Sequence, residues 1–115
     1  MKQYIIVRTD KKFSIGKIMA HVGHNCLSCY VDRKNEIMTD DDRWNSWYFV
    51  DNQTKIVVKT HYEQIKSIID LANIDDIPTS FIEDVHLKEQ ICAVVGPVSD
   101  REATYLGLFD LKLYR

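Results

Sequence analysis

At 115 residues, with 45% hydrophobic and 28% charged side chains and a formal charge of −2, the chain has the balance of one globular domain spanning 1–115, with apolar material for a single core and no compositional sign of disorder. No apolar run approaches the roughly 20 residues that cross a bilayer, and MKQYIIVRTD lacks the apolar core and small-residue cleavage site of a secretory signal, so a cytoplasmic protein without membrane contact is expected. Cys26, Cys29 and Cys92 are an odd set, read as thiols, and the net charge by itself argues against a polyanionic partner.

In chain order, Gln3 to Val7 is a β-branched and aromatic run that predicts a buried strand ending in Arg8-Thr9-Asp10. Ser14 is the candidate cap of a helix from Gly16 to about Asp32, whose residues Ile18, Met19, Val22, Cys26, Cys29 and Tyr30 recur at helical spacing and are expected to face the sheet. Lys17, His21, His24 and Ser28 form a separate polar stripe on the same helix. Residues 35–52 join the acids Asp40 to Asp42 to Trp44, Trp47, Tyr48 and Phe49 without a clean period, and their structure stays open; the two tryptophans are read as cover for the core.

Lys55 to Lys59 predicts a second strand, and Thr60 with Glu63 a capping box for a helix burying Ile65, Ile68, Ile69 and Ala72. A third strand is expected at Thr79 to Ile82 and a fourth at Ile91 to Val95, stopping at Gly96-Pro97. Ser99 and Glu102 form another capping box, before a terminal Leu111-Lys112-Leu113-Tyr114 of undecided form. The alternation implies an α/β fold with a four-stranded, mixed and mostly parallel sheet covered by helices, and a site outside the carboxyl ends of the strands.

That placement makes Asp10, Lys17 and Asp84 candidates to converge. Residues 1–34 carry seven Lys or Arg against two Asp or Glu, which leaves room for a basic patch around them. The chain has no P-loop, Rossmann glycine pattern, nucleophile elbow or HExxH. His21, His24 and Cys29 are metal-ligating residue types, but Cys29 lies roughly 80° to 140° around the helix from the histidines at about 100° per residue, so no metal site is expected. Cys26 and Cys29, read as lying on the buried side and away from a helix start, are expected to pack and not to react.

Arg8-x-Asp10, Gly16-Lys17, Ala20, His24, Ser28 and Tyr30 follow, without a gap, the pattern R-x-D-L-x-M-x-x-G-K-x-A-A-Q-x-x-H-A. With the Lys55–Lys59 run, Ile82-x-Asp84 and the terminal LKLY, the chain resembles the type-2 peptidyl-tRNA hydrolases over nearly its whole length. The resemblance implies a small α/β domain, often a homodimer, that cleaves the ester joining a peptide to tRNA and recycles peptidyl-tRNA without metal or organic cofactor. It places Lys17 and Asp84 in the active site, and Arg8, Asp10, His24 and Glu89 are the candidate substrate-binding residues beside them. His21 stands where the family has glutamine, Glu89 falls at the place of a threonine hydroxyl, and the glycine- and proline-containing loop before the fourth strand is missing. The short form is most similar to the peptidyl-tRNA hydrolase domain-containing branch.

Ester hydrolysis needs a placed water, a proton acceptor and a donor or cation at the oxyanion. On this reading Lys17 supplies charge, Asp84 orients water or the lysine, and His21 is the candidate base. The alternative is a non-catalytic member of the fold acting as an RNA- or protein-binding module. Catalysis predicts that Lys17, His21 and Asp84 cluster in an open cleft; a pure binding module predicts no cluster.

Overall fold

A computed structural model of the chain describes residues 1–36 and 41–115. The central strand β1 (Lys2–Arg8) is flanked by β2 (Lys55–Thr60) and β4 (Cys92–Val98), with β3 (Thr79–Ser80) outside β4 and β5 (Lys112–Leu113) outside β2, giving the order β3-β4-β1-β2-β5. The helices are α1 (Ile15–Glu36), α2 (Asp41–Asn45), α3 (Tyr62–Ile74) and α4 (Asp100–Tyr105). Between α2 and β2, Ser46–Val50 forms a π-helical turn.

Strand alternation divides the core. Tyr4 and Ile6 of β1, Val58 of β2, and Ala93 and Val95 of β4 meet Ile65, Ile68, Ile69 and Ala72 of α3 and Ala103 of α4 on one face. Ile5 and Val94 point to the other face, against Cys29 of α1 and the tryptophans Trp44 and Trp47, each 7% exposed. The tryptophans do cover the core, and the Trp47 indole donates to the Thr54 carbonyl at 2.8 Å. Asp42 is exposed, whereas Asp40 lies outside the described residues.

The α/β class and the mixed sheet agree with expectation, but the sheet has five strands and is not mostly parallel. Only β1 and β2 run parallel; β4 is antiparallel to β1, β3 to β4, and β5 to β2. The fifth strand is the LKLY segment. The third is two residues long because the Ile82 N–H bonds the Asn25 side chain at 2.9 Å and leaves the ladder.

The fourth strand runs through Gly96-Pro97 to Val98. Gly96 has φ 111°, a conformation open to glycine, and a Cβ there would meet the Lys2 carbonyl oxygen at 2.9 Å. The register of β1 and β4 shifts between Lys2 and Tyr4, and the Gly96-Pro97 peptide is cis.

The caps are also partly revised. Ser99 and Glu102 make both bonds of the expected box. Thr60 remains in β2, so His61 caps α3, its Nδ1 accepting the Gln64 N–H at 3.3 Å. Ser14 does accept the Lys17 N–H at 3.2 Å.

Candidate active site

The buried face of α1 is turned toward the stripe read as polar. His21 (5% exposed), Asn25 (0%) and Cys29 (0%) face inward, while Met19 is 67% exposed and Tyr30 39%. Asn25 explains the turn. Its Oδ1 accepts the Ser80 hydroxyl at 2.8 Å and the Ile82 N–H at 2.9 Å, and its Nδ2 donates to the His21 carbonyl at 2.7 Å. A fully satisfied amide is thus the tie between α1 and the β3 edge, where apolar contact had been expected.

This docking brings together the three candidates for chemistry. Asp84 Oδ2 accepts from Lys17 Nζ at 3.0 Å and lies 2.8 Å from His21 Nε2. Asp84 Oδ1 accepts the backbone N–H groups of His86 at 2.9 Å and Leu87 at 2.8 Å, closing a turn that the Asp84 carbonyl extends by accepting the Lys88 N–H. The Leu87 N–H first, then the Lys17 ammonium, with His21 and the His86 N–H, hold the Asp84 carboxyl well below the usual carboxylate range, against the opposing effect of burial. Asp84 is therefore an anion at neutral pH.

Access to the cluster is one-sided. The side chains of His21 and Asp84 are 6% and 5% exposed, whereas that of Lys17 is 37% exposed. The lysine is the member that reaches solvent, so the cluster is an edge with one outward cation and not the open cleft anticipated for all three. With Nε2 on Asp84, His21 has its Nδ1 buried without a hydrogen-bond partner.

Arg8, Asp10 and Glu89 assemble a second network. Arg8 grips Asp10 through Nε at 3.0 Å and a terminal nitrogen at 2.9 Å, and reaches Glu89 at 2.7 Å and the Gln90 carbonyl at 3.0 Å. Lys11 also pairs with Glu89. Arg8 lowers the Asp10 carboxyl to about 2; Lys11 and then Arg8 lower Glu89. Asp10 also accepts the Tyr62 N–H in the first turn of α3 at 2.8 Å, and the Arg8 guanidinium lies 4.7 Å from the Tyr62 ring centre. The network ties the end of β1 to α3 and to the loop carrying Asp84, whose N–H bonds the Glu89 carbonyl at 2.8 Å. His24 is exposed, with its ring edge-to-face against His21 at 5.4 Å.

Among the described residues no three His, Cys, Asp or Glu side chains converge to hold a metal. The cysteines are free thiols, and burial raises the Cys92 thiol to about 12. Of the basic residues near the amino terminus, Lys2, Arg8, Lys11 and Lys17 each hold a carboxylate. Sequence reasoning missed Asn25 and the two backbone donors to Asp84. The available signal was an asparagine, a poor helix former, between the apolar positions Val22, Cys26 and Cys29.

A family model described as Peptidyl-tRNA hydrolase PTH2 matches residues 1–114. The chain is 32% identical over 109 residues to the peptidyl-tRNA hydrolase of Metallosphaera sedula, covering 87% of this chain and 89% of that protein. It is 35% identical over 118 aligned residues to the one from Staphylothermus marinus (97% and 93%) and 31% over 110 to that of Methanocaldococcus jannaschii (89% and 90%). No described helix is long and apolar enough to cross a membrane. Matched end to end by the family model and along most of their length by these relatives, the chain belongs to the peptidyl-tRNA hydrolase PTH2 family.

Proposed function

We propose that this chain hydrolyses the ester between the peptide, or an N-blocked amino acid, and tRNA, and so recycles peptidyl-tRNA. The observation that carries the reading is the Lys17 ammonium held at 3.0 Å by a buried, ionised Asp84 while still reaching solvent. A fixed cation at the edge of a low-dielectric interior is what a developing ester oxyanion needs, since it requires no reorganisation as charge appears.

In this mechanism Lys17 is the catalytic residue, facing the ester carbonyl oxygen as the tetrahedral intermediate forms. Asp84 is a positioning residue: both of its oxygens are occupied, and it sets the direction of the ammonium. His21 supports Asp84 from within, because its ring is turned into the protein and not toward water. Arg8, Asp10 and Glu89 brace the loop that presents Asp84, and His24 contacts substrate from the exposed side of α1.

The test is release of tRNA from an N-blocked aminoacyl-tRNA by wild type, Lys17→Ala and Asp84→Ala. Loss of one preorganised donor lowers kcat by about 10² to 10³, and that loss is expected for Lys17→Ala. Equal rates for Lys17→Ala and wild type would overturn the assignment. The same reading places the protein in the cytoplasm, with tRNA. A homodimer is supported by the exposed apolar side chains Met19, Leu27 and Val31 of α1, and light scattering of the purified chain tests it.

A further inference from the structure

Most basic side chains near the strand ends already hold a carboxylate; Lys55, Lys59 and Lys112 do not, and none of the three has an ion-pair partner among the described residues. The topology gathers them. In the β1–β2 ladder Gln3 aligns with Lys55, Ile5 with Val57 and Val7 with Lys59, and Ile5 packs on the α1 side of the sheet. Aligned residues share a face, so Lys55, Val57 and Lys59 leave the sheet on that side. Lys59 is directly opposite Lys112 in the β2–β5 ladder, which adds a third ammonium to the same face.

α1 packs on β4 and β3 and leaves this part of the sheet open, with Val57 37% exposed. By strand alternation Tyr114, whose N–H bonds the Val57 carbonyl at 2.9 Å, presents its ring, 39% exposed, between the lysines. A groove of about 430 Å³ runs beside Lys59 and Lys112 and is also lined by Thr9, Thr60 and His61; Asp110 is the single carboxylate on its wall.

Like charges directly opposite in a ladder destabilise it. Two lysines in that relation, with the Thr9 hydroxyl and the His61 imidazole beside them, suit a bridging phosphodiester, while the Thr60 hydroxyl is already given to Gln64. The tyrosine ring favours RNA over an acidic peptide, because it offers a platform on which a base can stack. Lys59 aligns with Val7, next to Arg8, so this face meets the end of the sheet where α1 begins and Lys17 stands. We infer that the open β2–β5 face carrying Lys55, Lys59 and Lys112 is the surface on which the sugar-phosphate backbone of tRNA lies. The inference rests on the peptidyl-tRNA reading above.

The experiment measures the Kd of deacylated tRNA between about 50 and about 200 mM salt, and kcat and KM on an N-blocked aminoacyl-tRNA, for wild type, Lys59→Gln, Lys112→Gln and the double variant. Each lost phosphate contact reduces the slope of log K against log salt by about 0.9. The double variant is expected to lose nearly twice that, with KM raised several-fold and kcat unchanged. Lys66→Gln, whose partner is Asp70 on the outside of α3, is expected to keep the wild-type slope.

An unchanged slope and KM in the double variant, beside a wild type that hydrolyses, would overturn the surface and leave the esterase reading standing. The expected slopes without any hydrolysis would support the surface and overturn the esterase reading. Displacement of tRNA by polyglutamate at equal charge concentration would overturn the RNA assignment in favour of an acidic peptide.

Discussion

Replacing Asn25 by alanine tests whether one buried amide sets both the stability of the fold and the geometry of the Lys17–Asp84 pair. The substitution removes the acceptor of the Ser80 hydroxyl and the Ile82 N–H. The hydroxyl can rotate to another acceptor, but the backbone N–H cannot. An orphaned buried donor costs about 1 to 3 kcal/mol, and the void left by the amide adds about 1 kcal/mol. Alanine's better helix propensity offsets roughly 0.6 kcal/mol. The expected net loss is about 1.5 to 3.5 kcal/mol, a large part of the roughly 5 to 15 kcal/mol that holds a domain together.

Urea denaturation reads this directly. With m of about 2 kcal/mol per molar, the middle of the usual range, the midpoint should fall by about 0.7 to 1.7 M at unchanged m. Because Ile82 leads into the loop of Asp84, kcat should fall as well, under conditions where the variant is folded. A variant within about 0.5 kcal/mol of wild type, the usual range for surface changes, would refute the reasoning: α1 would then be held by its apolar contacts and not by the amide.

Three further outcomes are expected. Gly96→Ala should be strongly destabilising, since its Cβ would meet the Lys2 oxygen and the Val98 nitrogen at 2.9 Å and its φ is 111°; a melting temperature equal to wild type would contradict this. Gly23→Ala is the opposite case: nothing lies within 4 Å of the added Cβ, and the helix interior should gain about 0.5 to 1 kcal/mol, seen as a higher midpoint in urea. For pH, the folded Asp10 carboxyl lies at about 2 against 3.8 unfolded, so its contribution is complete above 3.8 and disappears as pH falls through about 2. Asp84 and Glu89 act with the same sign. Thermal unfolding from pH 6 downward should therefore be less steeply acid-dependent in Asp10→Asn than in wild type, and identical profiles would count against it.

Local signals in the sequence located β1, β2, α3 and the Ser99–Glu102 cap, because each is defined by its own periodicity or by a short-range hydrogen bond. Lys17 and Asp84 were legible through spacing and resemblance. What was not legible depended on partners distant in sequence. The orientation of α1 follows from Asn25 finding Ser80 and Ile82, and His21 and Arg8 look solvent-facing until their carboxylates are placed. The parallel character was overestimated because alternating strands and helices do not reveal that β4 enters antiparallel beside β1. The fifth strand was missed since a two-residue ladder has no period to detect.

The two outermost strands, β3 and β5, are each only two residues long. Beyond them the neighbouring β4 is occupied in part by the Gly96 N–H to Pro78 bond and by the Arg43 bond to the Pro97 carbonyl, and Pro97 has no N–H to offer. Another chain seeking to add itself as a strand meets almost no continuous template. Growth of the sheet by strand addition at these borders is therefore disfavoured, which leaves its faces, and not its edges, as the surfaces open to contact.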